Sequence, residues 1–109
     1  MVNLVEAVKF DQEKPRLGLI PPNSINSTGR ALTYGAKKYH EYNYKTGSGL
    51  DWDRVYSPLL RHLEAWIDGE DFDPESGLNH LDHVGACVAM LQDLVFSKIG
   101  KDTRFKQNR

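Results

Sequence analysis

Residues 69–83, GEDFDPESGLNHLDH, concentrate the side chains of this chain that could do chemistry. The segment holds a third of the 15 acidic residues and two of the four histidines. Carboxylate oxygens are the preferred ligands of Mg²⁺, usually with water and a phosphate completing the shell, and Mn²⁺ also accepts imidazole. The residue types therefore suit a site that holds a divalent cation against a phosphate.

The same residues also fit an acidic turn that caps a helix. Asp73 precedes Pro74, and Ser76 or Asn79 could cap the helix that follows. Acidic side chains near a helix N-terminus are ordinary partners of the helix macrodipole. Residue types and spacing alone leave the metal site and the capped turn both open.

Three helices and an N-terminal arm are the elements expected to position this segment. Three prolines in residues 1–22 exclude a continuous helix there. We expect an extended arm, with a short edge strand, that lays the apolar run at 17–20 onto the body. Residues 23–99 are predicted to form a helical domain, and residues 100–109 a basic tail.

The first helix is predicted to begin at Asn23 or Ser24, which are good caps, and to end near Tyr39 or His40. The second should end at about Asp68, with Gly69 as the residue after its cap. Its start is ambiguous, because a Ser-Pro pair at 57–58 and the preceding DRVY segment both fit.

The third helix is predicted to run from near Asn79 as far as Ile99. Its apolar residues recur at spacings of three, four, three and four, at Leu81, Val84, Val88, Leu91 and Val95. Three helices with broad apolar faces in a chain of 109 residues predict an all-α domain completed by homo-oligomerisation.

Antiparallel packing of the second and third helices would bring their histidines together. His62 and Trp66 lie one turn apart on the second helix, with Glu70 one turn beyond, while His80 and His83 share a face of the third helix. The connecting segment can therefore direct several oxygen and nitrogen atoms into one cleft.

Two other interpretations of the histidines stay open. His80, His83 and Cys87 share one face and could suggest zinc, but no fourth ligand has an evident motif. Cys87 equally fits a small core residue, and His62 a structural histidine beside an apolar stripe. A triphosphatase of the HD type is disfavoured, because the chain reads Asp82–His83 rather than His–Asp.

Lys37 and Lys38 lie at the end of the first predicted helix, where basic residues often serve only the macrodipole. If the acidic segment holds a metal, these lysines and Arg61 are candidates to meet a substrate's phosphates. Tyr39 or a nearby aromatic residue could stack on a base.

Composition excludes several classes of partner. The formal net charge of −1 gives no reason to expect a nucleic-acid polymer or a membrane as partner. The single cysteine excludes an internal disulfide and fits a reducing compartment. With no signal peptide or spanning segment in the sequence, we expect a cytoplasmic protein.

Three stretches, KPRLGLIPP, YGAKKYHEYNY and LLRHLEAWIDGEDFDPESGLNHLDHV, together resemble the N-terminal domain family of the phage and bacterial dATP/dGTP diphosphohydrolases. This family is allied to the MazG-like all-α nucleotide pyrophosphohydrolases. The resemblance covers roughly residues 9–95, and its most specific part is the pattern from Arg61 to His83.

The resemblance implies a MazG-like helical bundle that forms a dimer or tetramer, in the host cytoplasm if phage-encoded. It further implies hydrolysis of dGTP or dATP to monophosphate and pyrophosphate with Mg²⁺ or Mn²⁺ as cofactor. The implied metal ligands are Glu70, Asp73, His80 and His83, with Glu64 and Asp71 as further candidates. The implied catalytic residues are Glu70 and Asp73, with His62 or Glu75 as the base. The implied substrate contacts are Lys14, Arg16, Lys37, Lys38, Tyr39, Asn43, Arg61 and Trp66.

One departure from the wider MazG-like group bears on the site. Those enzymes carry an E-x-x-E on one helix and an E-x-x-D on the next, whereas the second predicted helix here has no E-x-x-E. The metal shell must therefore differ from theirs. A non-catalytic nucleotide- or metal-binding module and a helical interaction module remain the alternative functions.

Overall fold

The computed structural model describes residues 5–106. Three α-helices follow one another: α1 at Pro22–Lys38, α2 at Asp53–Ile67 and α3 at His80–Phe96. Within the described residues there is no β-strand, only an isolated bridge between Phe72 and Asn79. The predicted all-α class is confirmed. None of the helices in this range is long and apolar enough to cross a membrane.

Helix α3 is the central element and packs against both α1 and α2. Both neighbours run antiparallel to it. Along α1, Thr28 approaches Gly85 and Tyr34 approaches His83, while along α2, Val55 packs with Cys87 and Leu94 and His62 approaches His80. The three helices thus form one layer in the order α1, α3, α2. A groove of about 700 Å³ lies over α3, lined by residues from all three helices.

Helix α2 starts at the earlier of its two predicted positions and continues through Pro58. It ends as predicted at Gly69, whose φ of 99° is the left-handed conformation that glycine adopts without strain. The Glu70 amide donates to the Ala65 carbonyl and the Gly69 amide to the Trp66 carbonyl, which defines a Schellman motif. Glu70 is thereby fixed directly after the helix.

Helix α3 begins where the sequence predicts, because the Asn79 side chain accepts a hydrogen bond of 2.8 Å from the Leu81 amide. The prediction that it continues to Ile99 is wrong, since it ends at Phe96. Lys98 adopts a φ of 56°, and the Ile99 amide donates back to the Leu94 carbonyl. A lysine thus closes the helix in the position where glycine is commonest.

The N-terminal arm departs from its prediction in two ways. It contains a short 3₁₀ turn at Leu17–Leu19 rather than an edge strand. Its apolar residues do not lie on the body: Leu17 is 71% exposed and Leu19 66% exposed. The arm bonds to itself instead, with the Leu19 amide donating to Arg16 and the Ile20 amide to Leu17. Because these amides are paired within the turn, they are not available to pair as a strand.

At the end of the groove away from the acidic segment, a small core and hydrogen bonds between two loops stabilise the fold. Trp52 donates its indole N–H to the Ile99 carbonyl at 2.9 Å, and the Gly100 amide donates to Ser48 at 2.9 Å. Trp52 and Ile99 also pack against the buried residues Val55 and Leu94. The loop that leads into α2 is therefore fastened to the segment that follows α3.

We expect Gly100→Ala to destabilise the protein by at least about 1–2 kcal/mol, the usual cost of left-handed backbone at a residue with Cβ. Gly100 has a φ of 78°, and a Cβ there would overlap the Leu50 carbonyl oxygen. The matched control is Gly29→Ala in α1, where a Cβ meets nothing within 4 Å, and which should gain about 0.5–1 kcal/mol. Urea unfolding measures both, and equal midpoints would contradict this account.

Candidate functional site

Three histidines meet at the end of the groove where the acidic segment crosses it. His62 comes from α2, while His80 and His83 come from the first turn of α3. The His62 and His83 rings stack at 4.4 Å with planes 11° apart, and the His62 and His80 ring centroids are 5.1 Å apart. The predicted antiparallel packing therefore brings these histidines together.

His80 is the most buried of the three, at 3% exposed, and both of its ring nitrogens have partners. Its Nε2 lies 2.6 Å from Glu70 Oε1, and its Nδ1 lies 2.8 Å from His62 Nδ1. A carboxylate oxygen can only accept, so we assign the hydrogen on His80 to Nε2. The lone pair of His80 Nδ1 then faces His62. Glu70 fixes this orientation.

Asp73 anchors the turn between the helices and also faces the histidines. Its Oδ2 accepts hydrogen bonds from the Ser76 amide at 3.0 Å and the Ser76 hydroxyl at 2.8 Å, and lies 3.6 Å from His83 Nε2. Burial would raise the pKa of Asp73, but these hydrogen bonds outweigh it and hold the pKa below its usual value. Asp73 therefore carries a negative charge at neutral pH.

Burial lowers the pKa of both His62 and His83, and each also feels the repulsion of a neighbouring histidine. For His83 the lowering prevails over the attraction of Asp73 and Asp82. Both imidazoles are thus neutral near pH 7. A neutral imidazole has a free lone pair, which is the form that binds metals or accepts a proton.

One ligand atom from each of His62, Asp73 and His80 lies within 4.8 Å of the other two. The His62 and His80 Nδ1 atoms, 2.8 Å apart, share a hydrogen bond that His62 donates, and a cation bound by both nitrogens would replace this bond. His80 also donates its other ring N–H to a carboxylate, as metal-bound histidines generally do. The residues present thus fit a divalent metal.

The remaining predicted metal and catalytic residues lie around this cluster. Glu70 binds His80, His83 binds Ser76 Oγ at 2.7 Å, and Glu75 forms an ion pair of 2.6 Å with Lys38. Glu64 and Asp71 are exposed and outside the cluster. Their predicted roles as ligands or base stay predictions.

The predicted substrate contacts divide into two groups. Lys38, Tyr39 and Asn43 line the groove. The others do not line it: Lys14, Arg16, Lys37, Arg61 and Trp66. Lys14 and Arg16 lie on the exposed arm, away from the helices of their own chain.

Several residues of the site and of the groove were missed by the sequence analysis. Ser76 was interpreted as a candidate helix cap, but Asn79 is the cap and Ser76 bridges Asp73 to His83. Tyr34 lies one turn before Lys38 on α1, and its ring meets His83 edge-on at 5.9 Å. The i, i+4 spacing from Lys38 is the signal that could have found it. The loop tyrosines at 42 and 44 and Arg54 also line the groove.

Cys87 does not belong to the metal cluster. It is buried in the core beside Val55 and Leu94, and burial raises its thiol pKa to about 11. Since the thiolate is the form that binds metal, a protonated core thiol is a poor ligand. The structure favours a core role for this residue.

Asp82 faces α1 rather than the groove. Although only 3% exposed, it accepts a hydrogen bond of 2.5 Å from Ser27 Oγ and two from the Arg30 guanidinium. Burial would raise the pKa of Asp82, but the Arg30 and Ser27 hydrogen bonds prevail and lower it. Asp82 therefore joins α1 to the start of α3, the turn that carries His80 and His83.

The protein is thus an all-α protein with a candidate metal and phosphate site. The site consists of two histidines and one carboxylate, beside a lysine and several tyrosines. Comparison with known proteins identifies the family. The family model described as "dATP/dGTP diphosphohydrolase, N-terminal" matches residues 5–104. The chain belongs to this family, as the resemblance predicted.

A relative from Salmonella phage PMBT28, named dATP/dGTP diphosphohydrolase, is 31% identical over 97 residues. The match covers 89% of this chain and 32% of the relative. This chain thus spans about a third of the length of the curated relative that it matches. No solved structure matches the chain.

Proposed function

We propose that this protein hydrolyses purine deoxynucleoside triphosphates, dGTP or dATP, to the monophosphate and pyrophosphate. The observation that carries the proposal is the cluster of His62, Asp73 and His80, of which His62 and Asp73 line a groove together with Lys38 and tyrosines. Family membership and the relative's name supply the substrate class. The resemblance also implies a MazG-like bundle, oligomerisation and a place in the host cytoplasm, and these stay predictions.

His62, Asp73 and His80 would hold the divalent cation. A donor set of two imidazole nitrogens and one carboxylate suits Mn²⁺ better than Mg²⁺, which prefers oxygen ligands. When bound, such a cation neutralises charge on phosphate oxygens and lowers the pKa of water. We therefore propose Mn²⁺ as the better cofactor of the two.

The groove offers complementary groups for the rest of the nucleotide. Lys38 Nζ reaches the acidic segment at Glu75 and lies within 5.4 Å of the Tyr39 ring centroid. An incoming phosphate can compete with Glu75 for this ammonium group, because both partners are largely exposed. Tyr39 and Tyr42 give flat aromatic surfaces against which a base can stack.

His83 is the residue that we propose as proton acceptor. The hydroxyl hydrogen of Ser76 is used on Asp73, so Ser76 accepts from His83 Nε2–H, which leaves the lone pair on His83 Nδ1. Glu75 is less suited, because the hydrogen bond from Lys38 lowers its pKa. Asp73 and Ser76 thus orient a neutral imidazole that can take the proton from an attacking water.

The test is product identification. The protein is incubated with dGTP and with dATP in Mn²⁺, the nucleotides are separated by chromatography, and pyrophosphate is assayed. We expect monophosphate and pyrophosphate in equal amounts, and no product after EDTA treatment. Deoxynucleoside with triphosphate would overturn the proposed reaction, and nucleotide binding without any product would leave a binding module.

We expect Glu70→Gln to weaken Mn²⁺ binding by about 10- to 100-fold, the usual cost of disturbing a carboxylate that orients a metal-bound histidine. The amide oxygen can still accept from His80 Nε2–H, but without the negative charge that makes His80 a stronger ligand. Isothermal titration with Mn²⁺ measures the effect. Asp71→Asn, one residue further on and exposed, is the matched control and should bind Mn²⁺ like the wild type. Unchanged affinity in Glu70→Gln would show that Glu70 does not orient His80.

A further inference from the structure

The most regular apolar stripe of the chain faces away from the groove. It consists of Leu81, Val84, Val88, Leu91 and Val95 on α3, and we call it the α3 stripe. Leu81, Val88 and Val95 are 40%, 39% and 36% exposed, whereas Val84 is half-buried and Leu91 packs in part against the core. Val88 lies two residues from both Ala86 and Met90, which line the groove, and a separation of two residues turns the helix by about 200°.

The stripe is exposed because the described helices form a single layer. A helix must bury its apolar face against another element, and stable domains do so with at least two packed layers. Here α1 and α2 cover the flanks of α3, and the back of the layer stays open. Leu60 and Ile67 of α2 are also exposed, at 56% and 66%, and neither lines the groove.

The residues within the α3 stripe are suited to pairing with a copy of themselves. Spacings of three and four over fifteen residues match the a and d positions of a helix-to-helix seam. The positions that flank the seam, Gly85 and Gln92, are uncharged, so like charges would not meet across a symmetric pair. Because two identical stripes meet at a two-fold axis, the contact closes on itself.

The distribution of charge along α3 favours antiparallel over parallel helices in such a pair. The start of α3 adjoins the acidic segment, where Asp71 has no ion-pair partner among the described residues. Beyond its end lie Lys98 and Lys101, which have no carboxylate partner in the described chain. Parallel helices would place two acidic segments side by side. Antiparallel helices place the basic end of one copy beside the acidic end of the other.

We propose that two copies of this chain associate back to back through the α3 stripe, with their α3 helices antiparallel and Val88 at the two-fold axis. Leu81 of each copy then lies opposite Val95 of the partner copy. The two grooves face outward on opposite sides of the dimer. This inference is independent of the proposed activity.

Engineered cysteines test the pairing directly, with the buried Cys87 kept in every sample. Val88→Cys alone should form a disulfide-linked dimer under mild oxidation, because the two positions meet at the axis. Leu81→Cys and Val95→Cys should cross-link when mixed and hardly at all alone. Thr33→Cys, at an exposed position of α1 that lines the groove and lies outside the α3 stripe, is the matched control and should stay monomeric on a denaturing gel.

A second variant guards against cross-links formed by chance collision. Val88→Glu places a charge in the seam and should weaken dimerisation at least about 100-fold in sedimentation equilibrium, with an unchanged far-UV circular dichroism spectrum. Self-cross-linking of all three cysteine variants would show parallel helices and overturn the proposal. A wild-type chain that is monomeric at 100 µM would overturn it too and point to another occupant of this face, such as the arm or a further domain.

Discussion

Asp73→Asn is expected to lower metal-dependent turnover of dGTP by more than about 100-fold. The substitution keeps the shape of the side chain but removes the charged oxygen of the His62–Asp73–His80 cluster. Loss of a direct ligand should exceed the roughly 10- to 100-fold cost of an outer-sphere partner. The measurement is kcat/KM at a fixed Mn²⁺ concentration, with the shift of melting temperature on adding Mn²⁺ as a second readout.

Two matched variants separate the roles in this site. Glu64→Gln changes a predicted ligand that lies on α2 outside the cluster, and its kcat/KM should stay within about twofold of wild type, since an exposed charge rarely matters more. His83→Gln should keep the Mn²⁺-induced shift of melting temperature but lose turnover. Full activity in Asp73→Asn would refute the assignment of the cluster as the metal site.

Arg30→Met is expected to destabilise the fold by about 1–3 kcal/mol, because it removes two hydrogen-bond donors from a buried carboxylate. It leaves the buried Asp82 carboxylate with Ser27 as its remaining side-chain partner. Breaking a fully buried ion pair usually costs about 3–5 kcal/mol, and we expect less here because Ser27 still donates and the Arg30 side chain is half exposed. Urea unfolding at pH 7 measures the loss as a lower midpoint with an unchanged m-value.

The stability difference between wild type and Arg30→Met should depend on pH. The folded-state pKa of Asp82 lies below its ordinary value, so its stabilising effect is present above the unfolded pKa, near pH 4, and is lost as pH falls through the folded pKa. The difference between wild type and Arg30→Met should therefore shrink in acid. Lys37→Met, on the same helix and without an ion pair in the described chain, is the control. Equal loss in both variants would contradict the account.

The helices were predictable because their signals are local. Gly69 and Asn79 act within one turn, and the structure gives both the predicted capping roles. Two other features have no such local signal and were not predictable. Lys98 adopts a left-handed backbone conformation that is uncommon for lysine, and the 3₁₀ turn of the arm uses amides that an edge strand would need.

The candidate site was predictable in composition but not in its contacts. Antiparallel packing of α2 and α3 brings His62 and His80 together, and the turn between the two helices carries Asp73 to them. Which carboxylate lies beside the histidines depends on the geometry of the connecting turn and on contacts with α1. The Schellman turn places Glu70 behind His80, and a hydrogen bond to Lys38 draws Glu75 away. No pattern in the sequence indicates that Ser76 bridges Asp73 and His83 rather than capping α3.

The central claim is that His62, Asp73 and His80 hold the divalent cation that the activity needs. The most direct measurement is the anomalous diffraction of a crystal of this chain soaked in MnCl₂. The account predicts a manganese peak within bonding distance of ligand atoms from all three residues, with Glu70 still bonded to His80. A peak at Glu64, Asp68 or Asp71 instead, with none between the histidines, would contradict it.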